Sequence, residues 1–144
     1  MAAIHQVTSR RVFVGRLRYG SDLLEELTEV CFQHDIRLGR VEVLGAVRKA
    51  RCGFYDQQAH EYRFHEFNQP LELLQLIGNI SLKDGKPFVH AHITLADETG
   101  KAFGGHLAPG TIVFAGEYVM EEFEGKPLER RFDEETGLQL WEFD

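Results

Sequence analysis

His90, His92 and His106, three of the seven histidines of this 144-residue chain, occur together in the run His90-Ala91-His92-Ile93-Thr94-Leu95-Ala96-Asp97-Glu98-Thr99-Gly100-Lys101-Ala102-Phe103-Gly104-Gly105-His106. Residues 89–96 alternate as a strand does, so His90, His92 and Thr94 share one face, and Val89, Ala91, Ile93 and Leu95 share the core-side face. Asp97-Glu98-Thr99-Gly100 has tight-turn chemistry, with Gly100 able to take positive φ. If the loop is Glu98-Thr99-Gly100, Asp97 faces Lys101, and His106 then falls opposite His92. Directly opposed residues have Cβ atoms roughly 4.5–5.5 Å apart on the same face. One hairpin would thus gather three imidazoles. Three neutral imidazoles suit zinc, and three protein ligands plus water is the arrangement of catalytic zinc sites. The alternative is three histidines making ordinary hydrogen bonds on a half-solvated face. Gly104 and Gly105 weaken the strand but let a backbone or a ligand approach closely.

The elements that must position this hairpin are legible on either side. Residues 10–19 read as a strand that Gly20-Ser21-Asp22 breaks. Asp22 or Ser21 can N-cap a helix, and Asp22 has Glu25 at capping-box spacing. Leu23, Leu24, Leu27, Val30, Cys31 and His34 follow a 3.6 period, and Gly39 is the expected stop. Residues 41–53 read as a strand bent or bulged near Gly45. Residues 61–67 alternate as another strand, and His60 and His65 read as surface or cross-strand histidines, with extra metal ligands as the alternative. Residues 71–81 could be helix or strand on periodicity alone, and Gly78-Asn79 with the turn Lys83-Asp84-Gly85-Lys86-Pro87 favours a strand feeding the histidine hairpin. Glu72 is expected to share a face with Leu74 and Leu76, as an edge residue or a buried acid. Residues 111–123 are apolar on both faces, as in a central strand. Glu117 interrupts the face of Val113, Ala115 and Val119, where a carboxylate needs a partner. It is either in a salt bridge to an arginine or an acid orienting a histidine. A last hairpin is expected over residues 128–143, with Trp141 and Phe143 covering a sheet face or a subunit contact. The sum is an α+β domain over residues 1–144: one or two helices on a mainly antiparallel sheet, with a core at about 10–124.

Composition bounds the function. The chain is 43% hydrophobic and 27% charged, an ordinary globular balance, with a net charge of −7 that disfavours an unspecific nucleic-acid surface. Its arginines lean toward the first third. Cys31 and Cys52 lack a metal spacing and need no bridge, so a reducing cytoplasm is expected. No apolar leader or membrane span is read.

The stretches 71–81, His90-Ala91-His92-Ile93-Thr94-Leu95-Ala96, Gly104-Gly105-His106-Leu107 and Ala115-Gly116-Glu117-Tyr118-Val119 together resemble the plants-and-prokaryotes-conserved (PPC) domain family, in order and spacing over about residues 10–124. The resemblance implies an antiparallel sheet flanked by helices, assembled as a homotrimer. It implies a zinc ion (Zn2+) on His90, His92 and His106. The fold is similar to acetolactate decarboxylase, which uses a comparable histidine trio on zinc. Glu117 matches the glutamate of the family's Thr-Ala-Glu stretch, here Ala115-Gly116-Glu117. Glu72 matches that of its Phe-Glu-Ile-Leu stretch, with Leu71 replacing Phe. Plant relatives carry the domain behind AT-hooks, and prokaryotic relatives bear a DNA-binding label without a settled activity. This chain has no Arg-Gly-Arg-Pro core and no room for one before Arg10.

Three functions follow, in this order. The first is a binding or regulatory module organised by a metal, with a small-molecule ligand or partner. The second is a zinc lyase or hydrolase acting on a small carbonyl or carboxylate compound, with Glu117 or Glu72 as catalytic acid or base. The third is a direct DNA binder.

Overall fold

A computed structural model describes residues 2–143. Among these residues the elements run β1 (Thr8–Arg16), α1 (Leu23–Gln33), β2 (Gly39–Asp56), β3 (Glu61–Phe67), β4 (Leu71–Lys83), β5 (Lys86–Ala96), β6 (Ala102–Leu107), β7 (Ile112–Glu124), β8 (Arg130–Phe132) and β9 (Gln139–Trp141). The expected α+β class holds, with one helix. All pairings between named strands are antiparallel.

The main sheet has the order β1-β7-β2-β4-β5-β6, and β3 pairs with the far end of β2. The 18-residue β2 organises it. Its first half lies between β4 and β7. Past the bulge at Leu44 it stays paired with β4 to Val47 and with β7 to Lys49, and its last residues then pair with β3 and β6, with Gly53 opposite His106. The path β2-β4-β5-β6 therefore returns to β2 and closes on itself, which removes an exposed edge beside the histidines. Gly104 and Gly105 make this closure possible. A Cβ at Gly104 would sit 2.0 Å from the Ile93 carbonyl oxygen, and one at Gly105 2.8 Å from that of Gly53. The close approach expected at the two glycines is thus strand against strand.

The core lies on the inner face, where Leu76 and Ile80 of β4, Ile93 and Leu95 of β5, Val41 of β2 and Met120 of β7 pack with Leu23, Leu27 and Cys31 of α1. Burial pushes the Cys31 thiol up to about 12 and the Cys52 thiol up to about 11, so both are unreactive apolar residues. Among the described residues no helix is long and apolar enough to cross a membrane.

Three local expectations are corrected. Val113 does not share a face with Glu117: a register shift at Phe114 buries Val113 and leaves Ala115, Glu117 and Val119 exposed. The helix ends at Gln33, with His34 as its C-cap and Asp35 at φ 50, and Gly39 opens β2 instead of stopping the helix. Leu76 does not share a face with Glu72: a register shift between Leu73 and Gln75 turns Leu76 into the core and leaves Glu72 and Leu74 exposed. Glu72 is neither buried nor on an edge, because β4 is an interior strand.

Asp22 starts the helix as expected. One carboxylate oxygen accepts from the Glu25 backbone N–H at 3.1 Å, and the other from the Gly110 N–H at 2.7 Å. The residue therefore caps α1 and ties it to the β6–β7 connection. Asp22→Ala is expected to cost about 1–3 kcal/mol, the loss of a cap plus an unpaired N–H. Asp22→Asn, which keeps one acceptor, should recover part of this in urea denaturation.

Candidate metal centre

The β5–β6 loop has the anticipated register. The Asp97 N–H donates to the Lys101 carbonyl at 3.1 Å, and Gly100 takes φ 83. The Asp97 carboxylate accepts from the Thr99 and Lys101 N–H groups and the Thr99 hydroxyl, which holds it below the usual carboxylate range. His92 is directly opposite His106. On β4, Ile77 lies opposite His92 and Asn79 opposite His90.

The three rings meet on the outer face of the sheet. Ring centroids are 5.1 Å apart for His90–His92 and for His90–His106, and 5.5 Å for His92–His106. One nitrogen from each lies within 4.8 Å of the others. His92 is exposed, whereas His90 and His106 are half-buried. Tyr62 of β3 packs on His106 with centroids 4.7 Å apart. Among the described residues, the Nδ1 of His106 is buried without a hydrogen-bond partner. Burial, reinforced by the neighbouring imidazoles and Arg130, pushes His90 and His106 down to about 4. Both are neutral at pH 7 and offer lone pairs. A set of converging neutral imidazoles with an orphaned nitrogen fits a borderline-soft divalent ion such as zinc.

Those depressed values also set a pH dependence for the metal-free protein. The folded state resists protonation down to about pH 4, while the unfolded chain takes the protons near its ordinary 6.5. Between those values the unfolded state binds more protons, so stability falls as pH drops through this window. The pair is expected to contribute of the order of 3 kcal/mol, after discounting for half-exposed sites. Urea midpoints in chelator between pH 7 and 4.5 measure it, and a His90→Gln/His106→Gln variant should flatten the dependence.

The two glutamates are not beside the cluster within one chain. Both are exposed on the same outer face. Glu72 stands opposite Ala96, four residues from His92 along β5, about 13 Å at the strand rise. Glu117 pairs with Leu44 and Arg16, three strand spacings from β5, about 14 Å. Glu117 makes no ion pair among the described residues. His60 lies in the β2–β3 turn, stacked near Tyr55, and His65 is exposed opposite Cys52.

The residue that the sequence reading missed is Arg130. The β8–β9 hairpin lies over the ends of β4 and β5 and brings this guanidinium to the wall of a cavity of about 270 Å³ shared with His90, His106 and Tyr62. Its signal was available: Leu128 and Arg130 share strand parity, and both are buried. An arginine in an apolar register is informative.

Residues 4–124 match the profile of the Plants and Prokaryotes Conserved (PCC) domain. The chain is similar to the metal-containing protein AF0104 from Archaeoglobus fulgidus, with 40% identity, a TM-score of 0.94, and coverage of 99% of this chain and 100% of that one. It is similar to a plant- and prokaryote-conserved protein from Pyrococcus horikoshii, with 34% identity, a TM-score of 0.93, and coverage of 99% and 98%. It is also 32% identical over 131 residues to a bifunctional protein GlmU of Synechococcus, over 90% of this chain. The chain spans about a fifth of the length of the curated relatives it matches.

Proposed function

The chain belongs to the Plants and Prokaryotes Conserved domain family, and we propose that it works as a homotrimeric binding module whose His90, His92 and His106 hold a zinc ion. The observation that carries this is the convergence of three imidazoles, two of them kept neutral by burial and one with an orphaned buried nitrogen. A relative with 40% identity over the whole chain is described as metal-containing, which supports it. Bound there, zinc would supply Lewis acidity toward a ligand oxygen or a water. His90 is held by its register opposite Asn79, and His106 by its register opposite His92 and by Tyr62, so the chain presents its nitrogens already oriented. His92, the exposed member, closes the cluster from the solvent side.

Assembly is supported by the outer sheet face. Val14 (80% exposed), Leu44 (59%), Leu74 and Val119 form the apolar part of a cleft of about 850 Å³ that also holds Arg16, Glu42, Glu117 and Thr94, and Ile77 (56%) is exposed further along β4. Surfaces of this kind are commonly covered by a partner.

The enzyme reading is favoured by one observation, the buried cation beside the cluster. A catalytic role for Glu117 or Glu72 then needs a neighbouring copy to bring the carboxylate to the cluster. The DNA-binding label of some structural relatives ranks last, since a net charge of −7 opposes phosphate contact.

Elemental analysis of the untagged protein after dialysis tests the reading. About one zinc per chain is expected for a three-histidine site, and a chain that cannot be loaded with zinc overturns it.

A further inference from the structure

The β8–β9 hairpin buries a positive charge that nothing in the described chain neutralises. Arg130 is 7% exposed. Its Nε donates to the Ser81 hydroxyl at 2.8 Å, one terminal nitrogen to the Gln139 carbonyl at 3.0 Å, and the other to Asn79 Oδ1 at 2.9 Å. All three acceptors are neutral. Phe88 and Trp141 flank the guanidinium, at 5.1 and 5.8 Å from their ring centroids. No carboxylate among the described residues pairs with it. A buried, unpaired cation is costly to hold in place. Guanidinium carries five N–H donors, so the three bonds leave two, one on each terminal nitrogen.

Those donors belong to a residue on the wall of the histidine cavity. Asn79, which holds one end of Arg130, is the direct cross-strand partner of His90. Glu61 and Lys83 also line this cavity, and neither pairs with Arg130. At about 270 Å³ the space lies just below the usual range for drug-sized ligands and suits a small metabolite.

We propose that Arg130 is the specificity-determining residue of this site: it recognises the carboxylate of a small organic acid whose other oxygen faces the ion held by His90, His92 and His106. This rests on the metal reading above. The fit is chemical. Arginine pairs with carboxylate through parallel N–H donors, and a ligand charge entering here meets an already desolvated, already oriented cation. The same hairpin forms the cavity wall through Leu138, Gln139 and Leu140, so it acts as a wall of the binding site as well as a cover for the sheet.

The test uses the zinc-loaded full chain, with zinc content measured first, and calorimetric titration with pyruvate and with pyruvamide, its neutral analogue. Pyruvate is expected to bind, and pyruvamide to bind roughly thirtyfold more weakly or worse. Arg130→Gln should keep zinc and lose pyruvate by a similar factor, and Arg130→Lys should retain part of the affinity. Equal binding of the two probes, binding of neither by a zinc-loaded chain, or unchanged pyruvate binding by Arg130→Gln overturns the proposal while leaving the metal reading intact. A chain that takes up no zinc brings both down. If Arg130→Gln fails to fold, the comparison of the two probes on the wild type decides by itself.

Discussion

Replacing His92 by alanine is expected to weaken zinc binding by at least about a hundredfold, since losing even a residue that only supports a ligand costs 10–100-fold. The fold should survive, because His92 is the one exposed member of the cluster and its side chain fills no part of the core. His106 is a poorer choice: it is half-buried against Tyr62 and opposite both His92 and Gly53, so its removal mixes metal loss with packing loss. Elemental analysis and a zinc titration in competition with a chelator read the change. Far-ultraviolet circular dichroism checks that the sheet is intact. In parallel, zinc at a hundred times its dissociation constant should stabilise the wild type by about 2.7 kcal/mol through mass action alone, and His92→Ala should lose that increment at the same zinc concentration. Wild-type zinc content unchanged by the substitution would move the metal to other residues. The candidates nearby are few, since His60 and His65 lie outside the cluster.

The hairpin was readable in the sequence because two short-range signals agreed. Period-two alternation put His90 and His92 on one face, and the Asp97-to-Gly100 turn fixed the count that brings His106 opposite His92. The helix start was readable for a similar reason, since a cap acts within four residues. Bulges defeated the rest. An extra residue near Leu74 inverts the parity of β4, and shifts between Ala46, Val47 and Lys49 do the same along β2 where it meets β7. Alternation alone therefore cannot say which face Glu72 or Glu117 occupies, because one inserted residue exchanges the faces. The closure of β6 onto β2 pairs Gly53 with His106, far apart in the chain, and leaves no local mark beyond the two glycines that permit it. Arg130 belongs to the same class: its partners Ser81 and Asn79 lie about fifty residues away, and only the three-dimensional placement of the hairpin gives it meaning.

Leu44→Glu is expected to turn the assembled protein into a folded monomer. Leu44 sits at the bulge of β2 with its side chain pointing out of the sheet, among Val14, Leu74 and Val119. The substitution leaves the core untouched and places a third carboxylate beside Glu42 and Glu117 in a cleft whose lining offers one cation, Arg16. In a closed assembly the change enters every copy of the interface, and a charge desolvated without a partner costs several kcal/mol each time. Light scattering after gel filtration at tens of micromolar measures the mass. Phe132→Glu, on the hairpin and outside the lining of this cleft, should leave the assembly unchanged although Phe132 is equally exposed. A wild type that is already monomeric would remove the outer face as an interface. The same variant separates the two readings of the site. His90, His92 and His106 all come from one chain, so a Leu44→Glu monomer should keep its zinc. Glu117 and Glu72 lie about 13–14 Å or more from the cluster within that chain, so any reaction that needs one of them should disappear with the assembly while the metal stays. Retained activity in the monomer would instead assign the chemistry to the histidine cavity and Arg130 alone.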